Sequence, residues 1–122
     1  MVAPTNLPAV RPLTVQRRAI LAGVMSQLLT DEEVATRLVD LPDWNRAEGD
    51  EPAITATYQL GDFAGALAFV NKVGAAAEEM DHHPDIDIRW DTVTLVLSTH
   101  SEGGLTAADF DLAGKIARLV EP

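Results

Sequence analysis

His82, His83 and His100 are the only imidazoles in the chain, and all three fall within nineteen residues. Imidazole both gives and takes a proton near neutral pH, so such a cluster points first to general acid/base chemistry on a small polar substrate. Carboxylates stand nearby: Glu78 lies one helical turn before His82, and Asp81 adjoins it. A neighbouring carboxylate fixes an imidazole's tautomer and favours its charged form, so the spacing predicts that Glu78 and Asp81 orient and polarise His82. Two other readings stay open, a metal site and plain surface histidines among solvating acids. Metal binding is disfavoured because adjacent side chains in extended chain point apart, and no His-x-His or His-Glu-x-x-His spacing occurs. Ser98 and Ser101 flank His100 outside any Gly-x-Ser-x-Gly context, which speaks against a serine hydrolase. The chain has no Gly-rich phosphate loop.

These residues need elements to hold them. Thr30-Asp31-Glu32-Glu33 is a capping box, and Val34, Leu38 and Leu41 form the stripe of a short helix ended by Pro42. Residues 53–60 alternate as a half-buried strand, with Ile54, Ala56, Tyr58 and Leu60 on one face. Gly61-Asp62 opens the longest helix, whose expected buried stripe is Phe63, Ala66, Leu67, Val70, Val73, Ala77 and Met80; Pro84 limits its continuation. Ile86, Ile88 and Trp90, then Val93, Leu95 and Leu97, alternate as a hairpin turning at Asp91-Thr92. That turn pairs Ile88 with Leu95 and Ile86 with Leu97, brings His83 close to His100, and makes Trp90 a core residue. Gly103-Gly104 breaks the chain for backbone conformation. Thr106 caps a last helix carrying Phe110, Ala113, Ile116, Ala117 and Val120, with Asp109 as the acid of a second capping box. The order is helix, strand region, strand, helix, strand, strand, helix: an α+β fold with helices covering one face of an antiparallel sheet.

The whole chain, 122 residues and 13.1 kDa, has the size of one domain. Its mean hydropathy of +0.04 and 47% hydrophobic content fit a folded globular protein. A net charge of −10 with scattered Lys and Arg argues against nucleic acid and anionic lipid as partners. Without cysteine, disulfides, thiolate nucleophiles and Cys-based zinc sites are excluded. The longest apolar run, 19–25, is far too short to span a membrane, and a signal peptide is not evident, so the cytoplasm is the expected location. Residues 1–28, with a proline-rich start and a helical stripe over 15–29, read as an N-terminal extension in which Met25 is an alternative start. Residues 29–122 read as the globular domain.

The spacing Glu78, three residues, His82-His83-Pro84, five residues, Trp90, nine residues, His100, eight residues, Asp109 resembles the pterin-4a-carbinolamine dehydratase family. The resemblance continues through Thr99-His100, Gly103-Gly104-Leu105-Thr106, Leu41-Pro42-Asp43-Trp44 and Phe63, five residues, Phe69-Val70-Asn71. It covers roughly residues 28–120. The resemblance implies a four-stranded antiparallel sheet with helices packed on one face. It implies loss of water from 4a-hydroxytetrahydropterin to give quinonoid dihydropterin, with no metal and no dissociable cofactor, since the pterin is the substrate. On this basis His82 and His100 are expected to handle protons, with Glu78 and Asp81 orienting His82. His83 is expected to orient the pterin, which Pro84, Thr99, His100, Trp44 and Asp109 also contact. The resemblance further implies a homodimer or homotetramer. The alternative function is a non-catalytic assembly or coactivator-type interaction protein on the same scaffold.

Overall fold

Thr30 opens the first helix as its capping box predicts. Its hydroxyl accepts from the Glu33 N–H at 3.1 Å, and its own N–H donates to the Glu33 carboxylate at 2.8 Å. The computed structural model describes residues 27–120. Nearly all of the N-terminal extension, Met25 included, lies outside these residues. Helix α1 (Asp31–Leu38) is followed by β1 (Asn45–Ala47), β2 (Ala53–Gln59), α2 (Phe63–Met80), β3 (Asp85–Arg89), β4 (Thr92–Leu97) and α3 (Ala107–Leu119). The strands form one antiparallel sheet in the order β1-β2-β4-β3. Ile54, Leu95 and Leu97 of the sheet are fully buried with Val73 of α2 and Leu112 and Ile116 of α3. The α+β class and the single helix-covered sheet are therefore as expected.

Local expectations are corrected at the hairpin and along α2. The hairpin turns at Trp90-Asp91, not Asp91-Thr92: Ile86 pairs with Leu95, Ile88 with Val93 and Arg89 with Thr92. A slip of two residues keeps every side chain on its original face, so the hydrophobic alternation could not detect it. Trp90 adopts a positive φ of 53° at the first turn position and is 66% exposed, outside the core. The same slip moves His83 away from His100. Extending the β3–β4 register would set His83 opposite Ser98, and His83 lies before the strand begins. In α2 the buried stripe is Ala66, Phe69, Val73 and Ala77, while Phe63 and Leu67 are exposed. The first half of α2 is apolar nearly all round, so periodicity alone could not choose the face that meets the sheet.

Trp44, expected at a site wall, is instead 2% exposed and part of the core. Its position follows from β1–β2 pairing: Asn45 faces Thr55, which leaves Trp44 beside Ala56 on the helix-covered side. Neither its indole N–H nor the Tyr58 hydroxyl reaches hydrogen-bond geometry. Burial, reinforced by the Asp43 carboxylate, pushes the Tyr58 hydroxyl above its usual 10.0, with the nearby Trp44 N–H pulling weakly the other way.

Candidate active site

The exit of α2 delivers two histidines in different directions. Asp81 is the left-handed C-cap of the helix, φ 52°, and its N–H bonds back to Ala77 and Glu78 carbonyls. The reversal sends His82 back toward the protein, with its N–H on the Ala77 carbonyl at 3.0 Å. Asp81 thus acts on backbone direction and makes no side-chain bond to His82, contrary to the sequence expectation. Glu78 does not reach His82 either; its Oε2 pairs with His83 Nε2 at 2.7 Å.

The partner of His82 comes from the far end of the motif. His82 Nε2 lies 2.6 Å from Asp109 Oδ1, with side-chain exposures of 14% and 0%. Asp109 Oδ2 accepts from the Thr99 hydroxyl at 2.8 Å and from the Thr106 N–H at 2.9 Å. Thr99 has one hydroxyl proton and gives it to Asp109, so in the 2.8 Å contact between Thr99 and Thr106 hydroxyls it is Thr106 that donates. The buried carboxylate is thereby satisfied from three directions. With Asp109 accepting at Nε2, Nδ1 of His82 is the ring atom left to exchange a proton. Asp109 is both an N-terminal residue of α3 and the orienter of an imidazole, so capping alone does not account for it.

His100 belongs to the loop that follows β4. Thr99 and Gly104 close this loop through Thr99 N–H to the Gly104 carbonyl at 2.7 Å, and Gly103 supplies a φ of 77° that favours glycine. His100 Nδ1 lies 2.7 Å from Glu51 Oε2, and the Ser98 hydroxyl donates to that same oxygen at 2.7 Å. The Ser98 hydrogen bond, followed by the bond and charge of His100, holds the Glu51 carboxyl below its usual 4.5 against an opposing effect of burial. A hollow of about 230 Å³ opens here, walled by Glu48, Glu51, Ala53, Asp85, Val96 and His100. His82 and His83 do not line it.

The structure thus gives each imidazole its own carboxylate. His82, Asp109 and Thr99 form one hydrogen-bonded group, and Thr99 is the chain neighbour of both Ser98 and His100. His83 with Glu78 stands at the helix exit beside half-buried Pro84. Among the described residues, no three His, Asp or Glu side chains converge as a metal site. Sequence reasoning missed Glu51. The available signal was the β2–β4 register, in which Ile54 faces Leu97; extended by three residues, it sets Glu51 opposite His100.

One antiparallel sheet, three helices, and imidazole–carboxylate pairs gathered at the exit of α2 and the entry of α3 define a compact class of α+β proteins. Residues 27–119 match the profile of Pterin 4 alpha carbinolamine dehydratase, and the chain belongs to that family. A Nocardia farcinica protein provisionally named as a pterin-4-alpha-carbinolamine dehydratase is 57% identical over 94 residues, covering 77% of this chain and 96% of its own. A counterpart from Roseiflexus castenholzii with the same provisional name is 53% identical over 96 residues, covering 79% of this chain and 100% of its own. The crystal structure of a Brucella melitensis protein described as a transcriptional coactivator/pterin dehydratase superposes with a TM-score of 0.73 at 34% identity, covering 77% of this chain and 99% of that one. A pterin dehydratase-like RuBisCO assembly factor of the alpha-carboxysome shares the fold alone, with a TM-score of 0.55 at 24% identity over 63% of this chain and 88% of its own. No helix among the described residues is long and apolar enough to cross a membrane.

Proposed function

We propose that this protein dehydrates 4a-hydroxytetrahydropterin to quinonoid dihydropterin and water. The carrying observation is the His82–Asp109 pair, in which a fully buried carboxylate with all its donors in place fixes one imidazole nitrogen and leaves the other to act. Family membership supports the same reading. In the reaction, the C4a–O bond breaks, one proton reaches the departing oxygen, and one leaves ring N5. Two imidazoles that each keep one nitrogen on a carboxylate and the other free suit those two transfers, and His82 and His100 are assigned to them. His83, held by Glu78, is assigned to orient the pterin, with Pro84 and Thr99 beside it. This reading calls for no metal or dissociable cofactor and assigns the protein to the cytoplasm.

The test is turnover of synthetic 4a-hydroxytetrahydropterin by wild type and by His82→Ala, His83→Ala and His100→Ala. General acid/base groups contribute about 10²–10⁴-fold, so losses of that order are expected at His82 and His100, with a smaller loss at His83. Near-wild-type rates in all three variants would overturn the assignment.

A second reading, an interaction protein on the same scaffold, draws on exposed Phe63 and Leu67, one helical turn apart on α2. Such a face suits a second copy of the chain or another protein. Self-association in sedimentation, abolished by Leu67→Glu while turnover persists, would assign that face to a homo-oligomer. Binding without any turnover would favour the non-catalytic reading.

A further inference from the structure

His100 is an open side chain, 70% exposed on a loop. An imidazole so exposed would sample both neutral tautomers and several rotamers unless something held it. Glu51 supplies that hold. The same oxygen that meets His100 Nδ1 also takes the Ser98 hydroxyl, so the carboxylate is braced from the strand side and from the loop side at once. Ser98 is buried, and its hydroxyl also lies 2.8 Å from the Pro52 carbonyl and 3.3 Å from the Gly104 carbonyl. The brace therefore ties the start of β2, the end of β4 and the loop closure into one unit.

We infer that Glu51 is the positioning residue of His100: its carboxylate, 2.7 Å from Nδ1, favours a proton on that nitrogen by charge, fixes the Nδ1–H tautomer, and leaves Nε2 as the proton-accepting atom of a ring that lines the hollow with Glu48 and Asp85. The role of this tautomer in turnover rests on the dehydratase reading; the tautomer itself does not. Glu51 acts through His100 and needs no contact with substrate. As a stabilising contact the pair contributes little, because the open His100 ring leaves it screened by water. Its effect lies in which nitrogen carries the proton.

The deciding measurement is ¹⁵N NMR of the His100 ring nitrogens in mildly alkaline buffer. In the wild type the protonated nitrogen is expected to be Nδ1. Glu51→Gln, which keeps an oxygen near Nδ1 but loses the charge, should hold that tautomer less fully; Glu51→Ala should shift the population toward Nε2–H, the form that a free histidine side chain prefers. Ser98 keeps two carbonyl partners in Glu51→Ala, so the variant has no newly orphaned hydroxyl. In steady-state turnover, Glu51→Ala should lower kcat about tenfold with KM within about twofold, and add nothing further in a His100→Ala background. An unmoved tautomer in Glu51→Ala overturns the inference, as does a moved tautomer with unchanged kcat. A wild type that shows no turnover removes the dehydratase reading instead, because the NMR result still decides what Glu51 does to His100.

Discussion

His82 and His83 are chain neighbours that bind carboxylates at nearly equal distances, 2.6 and 2.7 Å, in opposite surroundings. The His82 pair is 14% and 0% exposed; the His83 pair is 53% and 78% exposed. Distance alone would rank them equal. In the first pair, losing either partner strands buried polar groups that water cannot reach; in the second, water replaces the lost partner. The carboxylates also come from different places. Glu78 is local, in the last turn of α2 five residues before His83, whereas Asp109 is twenty-seven residues after His82 and arrives only because α3 packs against α2.

The largest test of this contrast is Asp109→Ala. It leaves His82 Nε2, the Thr99 hydroxyl and the Thr106 N–H without their acceptor, and should cost about 3 kcal/mol in denaturant unfolding and most of the turnover. Thr99→Val keeps the shape and removes one hydroxyl from the carboxylate. It should cost about 1–2 kcal/mol and weaken turnover less than Asp109→Ala. Glu78→Ala should change stability by no more than about 0.5 kcal/mol in the same unfolding experiment. Equal losses for Asp109→Ala and Glu78→Ala would break the contrast.

The smallest effect concerns the third pair and pH. Because the Ser98 hydroxyl, then His100, holds the Glu51 carboxyl below 4.5 in the folded protein, its stabilisation is fully present above about that pH and lost as pH falls through the folded value. The difference in thermal midpoint between wild type and Ser98→Ala should therefore shrink on going from pH 6 to below 4.5. A difference that grows on acidification would contradict the direction of the shift.

Local chemistry made much of the fold legible. The Thr30 capping box, the alternation of β2 and the strand–helix order needed only neighbouring residues, and all are present. Choices among equivalent packings were not legible. Nothing in the alternating residues of β3 and β4 distinguishes registers two residues apart, and the outcome turned on Trp90 accepting a left-handed turn. The same limit governed the site. The histidine cluster was visible, but its partners were assigned by nearness in sequence, and Asp109 and Glu51 reach their imidazoles through helix packing and strand pairing.

The positive φ at Trp90 has a practical consequence. It leaves one indole in water at the hairpin tip while Trp44 stays sealed in the core, 66% against 2% exposed. A dissolved collisional quencher such as iodide should therefore silence the first emitter and spare the second. The residual fluorescence would then report on the interior alone, which makes the chain its own two-channel optical gauge of unfolding.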